Sequence, residues 1–181
     1  MHLGKYSEHT ECNRFNENDQ PNENALTIAR YLHYHDRYRN HEHSLELESK
    51  LWKKIRSKLR RNRDQLSKND LHLVKQAFQV LLSCRQMLIY TYPLAFYLKK
   101  NNQSFLFEEN QADLERACEE LSRIFEQDLT NEMTFEASKR KLTEKFHYCQ
   151  ARREALLTHA KEGYTHNYWE YQDVLKGNSD R

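Results

Sequence analysis

The side chains with the most chemical potential are four cysteines, Cys12, Cys84, Cys118 and Cys149, and two close histidine pairs, His33/His35 and His41/His43. A nucleophilic cysteine needs a base and an activating, partly exposed setting. Cys84, Cys118 and Cys149 instead recur within apolar, helix-spaced stripes, with no Gly-rich turn or oxyanion-type loop beside them. Such cysteines act as small buried hydrophobes and stay reduced in a cytosolic or nuclear setting. The histidine pairs fail as metal clamps, because residues two apart on a helix point about 200° away from each other. Surface or rim positions are therefore expected for all four. Glu144-x-x-His147 matches half of the carboxylate–histidine motif of di-iron bundles, but that site needs a second copy and two more glutamates. No second copy exists, so no metal is assigned there.

The segment Lys53 to Arg63, KKIRSKLRRNR, holds seven basic residues. No stacking aromatic or base-reading element accompanies it, and Leu51, Ile55 and Leu59 keep apolar spacing through it. It reads as a solvated helix face, with an acidic protein partner as the functional alternative. Over the whole chain the 29 basic and 27 acidic residues leave only +2, so bulk charge gives no reason to expect nucleic acid. No apolar run approaches the ~20 residues of a membrane span. The first residues are polar, so neither a secretory signal nor a membrane partner is expected.

These residues must be positioned by helices. Only 3 Gly and 2 Pro occur in 181 residues, with 31% charged side chains, which favours long helices over a sheet. The most apolar stretch runs from Asn69 to Gln103. Leu71, Val74, Phe78, Leu81, Leu88 and Tyr92 line one side of it, with Leu73, Ala77, Val80, Cys84, Met87 and Ile89 alongside. So wide an apolar arc predicts a central helix touching several neighbours, kinked near Pro93. Before it, residues 25 to 66 predict one long bent helix, or two in near continuity, packing through Tyr31, Leu32 and Tyr38 and then through Leu45, Leu51, Trp52, Ile55 and Leu59. Ser67 with Asp70 offers a helix start. A polar turn at Asn101–Ser104 should precede a third helix from Leu106 or Phe107 to near Asp128. A fourth should run from Phe135 to Glu162, ended by Gly163 and followed by an aromatic tail, Tyr164, Tyr168, Trp169 and Tyr171. The expectation is an all-α antiparallel bundle of long helices with a bent first arm.

Several segments match a known family in order. Cys12-Asn13-Arg14-Phe15-Asn16-Glu17 resembles the C-N-R-[YF]-x-E signature that closes the catalytic zinc domain of Ariadne-type RING-between-RING (RBR) ubiquitin ligases. Ala29-Arg30-Tyr31-Leu32-His33-Tyr34, with Arg37-Tyr38 and Asn40-His41, is similar to the opening of their Ariadne domain. Cys84-Arg85, Tyr90-Thr91-Tyr92 and the stretch Phe96 to Ser104 resemble its core. Phe107-Glu108, Asn110 to Glu115, Glu162-Gly163-Tyr164 and Trp169-Glu170-Tyr171 continue the likeness. The branch containing the human homologue of Ariadne fits best.

The resemblance implies a regulatory and docking domain in protein ubiquitination. In the family, a RING recruits a ubiquitin-conjugating enzyme, and a cysteine of the last zinc domain carries ubiquitin as a thioester. The Ariadne domain covers that cysteine until a neddylated cullin-RING ligase is engaged. Residues 1–24 would then be the end of the catalytic zinc domain plus linker, 25–175 the Ariadne helical domain, and 176–181 a disordered tail. The parent would be a ubiquitin-protein transferase. This chain, without the RINGs and the catalytic cysteine, is expected to be inactive alone and to carry no thioester on Cys12, Cys84, Cys118 or Cys149. It reaches the conjugating enzyme only through its parent, in cytoplasm and nucleus. Zinc belongs to the parent's RING-like domains, and no cofactor to the helical domain. His2 and Cys12 have the spacing of a last zinc-ligand pair, a remnant because zinc wants four ligands.

The family's inhibitory contact maps onto Leu47, Glu48 and Glu119. Leu47 stands where the family has Phe. All three are expected as outward groups on two helices, forming an apolar plug flanked by acids. Ser44 lies one turn before them, so a phosphate there should repel Glu48 and loosen the contact. The alternative from another class is a free-standing helical scaffold that binds cullin complexes without ligase activity.

Overall fold

The computed structural model describes residue 15 and residues 22–61, 66–127 and 132–172. They form four helices: α1 (Glu23–Arg61), α2 (Lys68–Tyr97), α3 (Asn102–Glu126) and α4 (Glu132–Thr165). Among the described residues the sole β-type pairing is an isolated antiparallel bridge, Leu98 to Tyr171. The all-α expectation is met. Among those residues, no helix is long and apolar enough to cross a membrane.

α2 is the hub and packs against each of the other three helices. Val74, Ala77, Phe78, Leu81, Cys84, Leu88 and Tyr92 are buried along it, as its wide apolar arc predicts. Ser67 caps its N-terminus, accepting from the Asp70 amide (3.1 Å) and donating to the Asp70 carboxylate (2.6 Å). Lys139 of α4 closes on the same carboxylate at 2.8 Å. These bonds, with the capping hydroxyl first after Lys139, hold the Asp70 carboxyl below its ordinary value. α2 runs on through Pro93 to Tyr97. Its terminal carbonyls have no helical donors. Buried Arg30 of α1 supplies them, one Nη2 reaching Ala95 O (3.4 Å), Phe96 O (3.0 Å) and Leu98 O (3.0 Å).

α1 is a single helix of 39 residues, about 58 Å long at 1.5 Å per residue. Its inward face departs from the apolar expectation. Tyr31 and Leu32 are about half exposed, and the buried positions are Arg30, Tyr34, His41, Glu48 and Ile55. From Tyr34 onward these recur every seven residues. α3 starts four residues earlier than expected, because Asn101 and Ser104 form a reciprocal capping box and make the polar turn the first turn of the helix. It ends at Glu126 with Gln127 as its C-cap, close to the expected end near Asp128. α4 likewise extends beyond both expected ends.

Gly163 does not terminate α4. It lies within the helix, and a Cβ there would sit 1.8 Å from the Trp169 ring. The glycine is the seat for Trp169, whose indole N–H donates to Ala160 O at 3.1 Å. The turn belongs to Asn167, in the left-handed region at φ 56°. The tail then crosses back to α2, with Lys99 N donating to Glu170 O (2.7 Å) and Gln172 N to Tyr97 O (2.8 Å).

A buried arginine behind a half-exposed acid

Arg85 sits midway along α2, in phase with Leu81 and Leu88, and is 2% exposed. Its aliphatic stem belongs to the core, but its guanidinium needs partners there. Three side chains from two helices supply them. Nε donates to Glu48 Oε1 of α1 at 2.9 Å; Nη1 donates to Glu119 Oε1 of α3 at 2.6 Å and meets His41 Nδ1 at 3.1 Å. Because arginine only donates, Nδ1 of His41 is the acceptor, which places the ring proton on Nε2. Nε2 faces Glu115 Oε1 at 3.4 Å, and Tyr92 OH donates to Glu115 Oε2 at 2.8 Å. The His41 and Tyr92 rings stack, 12° from parallel with centroids 5.5 Å apart.

The electrostatics follow from this packing. Burial pushes the Glu48 carboxyl above its ordinary value, only partly offset by Arg85. Burial works against Glu115 as well, but the contacts with His41 and Tyr92 outweigh it and hold that carboxyl below the usual range. Burial, then the Glu115 charge, pushes the Tyr92 phenol well up. Burial opposes the Arg85 charge, yet Glu119 and Glu48 more than compensate and keep the guanidinium charged.

The three expected contact residues therefore have different roles. Leu47 is 49% exposed, and the Glu119 side chain 53%, so both face outward. Glu48 does not; it is 4% exposed and bound to Arg85 inside the bundle. Position 48 shares the inward face of α1 with His41 and Ile55, and that phase buries it. Glu48 and Glu119 nevertheless meet at one guanidinium, so the half-exposed acid is held from behind by the buried one. Ser44 is half-buried, one turn before Glu48.

The remaining candidates separate cleanly. His41 is buried, against the expectation of a rim position, while His43 points outward, as a spacing of two requires. His33 is half-buried, with Phe15 packed edge-on at 5.4 Å, and His35 stacks on exposed Tyr31. Glu144 and His147 are exposed, Glu144 pairing with Arg140. Cys84, Cys118 and Cys149 come from three helices into one buried contact, with Cys84 Sγ 3.7 Å from Cys149 O. Hydrogen bonds to the other two thiols, and then burial, push the Cys118 thiol well above its ordinary value, while hydrogen bonds to Cys118 and Cys149 pull the Cys84 thiol down to about 4. Among the described residues no group of three or more His, Cys, Asp or Glu could hold a metal ion. His2, Cys12 and the 176–181 tail lie outside the described residues, as does nearly all of 1–24.

Residues 29–143 match the Ariadne domain family model, a span that contains Leu47, Glu48, Arg85 and Glu119. The chain belongs to the Ariadne family. The Ariadne chain is 42% identical over 167 residues to the E3 ubiquitin-protein ligase ARIH1 of Homo sapiens, covering 88% of this chain and 30% of the relative. It is 41% identical over 169 residues to E3 ubiquitin-protein ligase ariadne-1 of Drosophila melanogaster, covering 90% and 33%. With E3 ubiquitin-protein ligase ari-1.1 of Caenorhabditis elegans it shares 36% identity over 184 residues, covering 96% and 37%. The chain thus spans about a third of the length of these curated relatives.

Sequence reasoning missed Arg85, His41, Glu115 and Tyr92 as one unit. A signal existed: a lone arginine in phase with Leu81, Leu88 and Tyr92 on the most apolar helix demands buried acids from its neighbours.

Proposed function

We propose that this Ariadne domain is the regulatory and docking part of an RBR-type ubiquitin ligase, acting in protein ubiquitination in the cytoplasm and nucleus. In the assembled ligase it lies over the catalytic zinc domain and shields the thioester-forming cysteine. Engagement of a neddylated cullin-RING ligase releases it, and the ubiquitin-conjugating enzyme enters through the parent's RING. Leu47 and Glu119 are the contact residues, a hydrocarbon knob and a carboxylate on separate helices. Glu48 is a positioning residue that acts through Arg85. A phosphate on Ser44 adds negative charge beside Glu48 and competes for the same guanidinium, which loosens the contact.

One observation carries this reading beyond the family match. An outward leucine of α1 and a half-exposed glutamate of α3 stand on helices that Glu48 and Glu119 tie together through a single arginine of α2. Helices fixed in this way can seat a neighbouring domain without paying to order themselves. The test is autoubiquitination by the full-length ligase. Leu47→Ala and Glu119→Ala should each raise the rate several-fold, and Ser44→Asp should raise it too. Unchanged rates in the Leu47 and Glu119 variants would refute the capping role.

A further inference from the structure

The C-terminal part of α1 and the first turns of α2 hold a second, differently built surface. A groove of about 710 Å³ opens between the last turns of α1 and the first turns of α2. Its floor is Trp52, Leu59 and Leu71, each partly buried against the core; the Trp52 indole stacks on Phe78 with centroids 4.7 Å apart. Its rims are Arg56 and Arg60 on α1 and Lys75 with Gln79 on α2.

The charges on those rims are all of one sign. Several cations elsewhere have acids: Arg39 pairs with Glu42, Lys100 with Glu108, Lys139 with Asp70, Lys145 with Glu120 and Arg152 with Asp113. Among the described residues, none of Arg56, Arg60 and Lys75 has an ion-pair partner. From Trp52 to Arg61 no acidic side chain occurs at all. The C-terminal dipole of α1 rewards positive charge only in its last turn. Arg56 lies before that turn, and Lys75 is on the other helix.

We propose that this groove docks an acidic amphipathic helix of a partner protein. Arg56 and Arg60 stand one turn apart, about 6 Å along the axis, and match two acidic residues at the same spacing on the incoming helix. Lys75 faces them across the groove. One or two large apolar side chains fill the space between, over Leu59 and Leu71. A nucleic acid fits less well: one indole face is already covered by Phe78, and the rest of the floor is aliphatic, so bases have no stacking platform. This site shares no residue with Leu47, Glu48 or Glu119 and does not depend on the capping role.

The probe is a fluorescein-labelled helical peptide of Glu and Leu, about 18 residues or five turns long, with its leucines on one face. Fluorescence anisotropy should show saturable binding that weakens at least tenfold in Arg56→Glu/Arg60→Glu. Lys99→Glu/Lys161→Glu, a charge reversal elsewhere, should leave it unchanged. Both variants are checked for native helicity by circular dichroism. The same peptide with serine in place of leucine should bind at least tenfold more weakly. Equal binding by the leucine-free peptide, no effect of the arginine reversals, or tighter binding of single-stranded oligo(dT) or phosphatidylserine vesicles would each overturn the proposal. In the full-length ligase, Arg56→Glu/Arg60→Glu should leave autoubiquitination unaltered, so the two readings stand or fall separately.

Discussion

Replacing Arg85 with methionine keeps most of the hydrocarbon stem and deletes the guanidinium. Three contacts go with it: to Glu48 at 2.9 Å, to Glu119 at 2.6 Å and to His41 at 3.1 Å. Glu119, half exposed, can be hydrated instead. Glu48, at 4% exposure, cannot. An uncompensated buried charge costs about 3–5 kcal/mol. At roughly 2–4 °C of melting temperature per kcal/mol for a domain of this size, Arg85→Met should melt about 6–20 °C below the native chain. Glu119→Gln should cost no more than about 1 kcal/mol, since its partner keeps the buried Glu48. Glu48→Leu/Arg85→Met removes both charges and should recover most of the loss. The pH dependence gives an independent check. Burial already raises the folded-state pKa of Glu48, and losing Arg85 raises it further. An acid whose folded pKa is raised contributes stability that is present at low pH and lost as pH rises through that pKa. The Arg85→Met deficit should therefore be smaller near about pH 5 than near about pH 8. Urea unfolding followed by far-UV circular dichroism measures each quantity. A single-variant loss no larger than that of Glu119→Gln, or one independent of pH, would refute the reasoning.

Gly163→Ala should cost about 1–3 kcal/mol as an overpacked site, because the new methyl would meet the Trp169 ring at 1.8 Å. In a Trp52→Phe background, red-shifted tryptophan emission should report the displaced indole. Ser67→Ala removes the α2 N-cap and should lower stability by about 1 kcal/mol in urea titration. Asp70 has a depressed folded pKa, so it contributes stability above its ordinary value that is lost as pH falls through the folded one. Asp70→Asn should flatten the acid limb of the stability curve below about pH 4.

How much of this was legible in the sequence depends on whether the inward face of each helix is hydrophobic. On α2, the stripe from Val74 to Tyr92 is nearly all hydrocarbon, so period and burial coincide. The Ser67 start was readable for the same reason, since its chemistry is local. α1 hid its core face, because a pattern search for apolar residues passes over His41 and Glu48 and settles on Tyr31 and Leu32, which lie about half exposed. The seven-residue recurrence of Tyr34, His41, Glu48 and Ile55 is regular, but only the position of Arg85 gives it meaning. Gly163 misled through its commonest role: a glycine late in a helix suits a stop, and nothing local reveals that an indole six residues on needs its missing side chain.

The buried position of Glu48 changes how a mutation at the proposed capping face must be interpreted. A variant at Leu47 or Glu119 alters a surface that another domain can touch. A variant at Glu48 alters the charge balance around Arg85, whose remaining partners are Glu119 and His41. With Glu48 neutralised, the guanidinium binds Glu119 with less competition and draws its carboxylate inward. The outward acid would then be lost to a partner although its own residue is intact. Glu48→Gln and Glu119→Gln should thus produce similar effects on the capped state with different effects on the domain itself. The first changes the stability of the isolated chain and its dependence on pH; the second leaves both nearly as they were. If Glu48 acted instead by direct contact, its ligase phenotype would survive in a chain whose Arg85 had already been replaced by methionine. Positioning through Arg85 requires that phenotype to vanish there, because the residue that transmits it is gone.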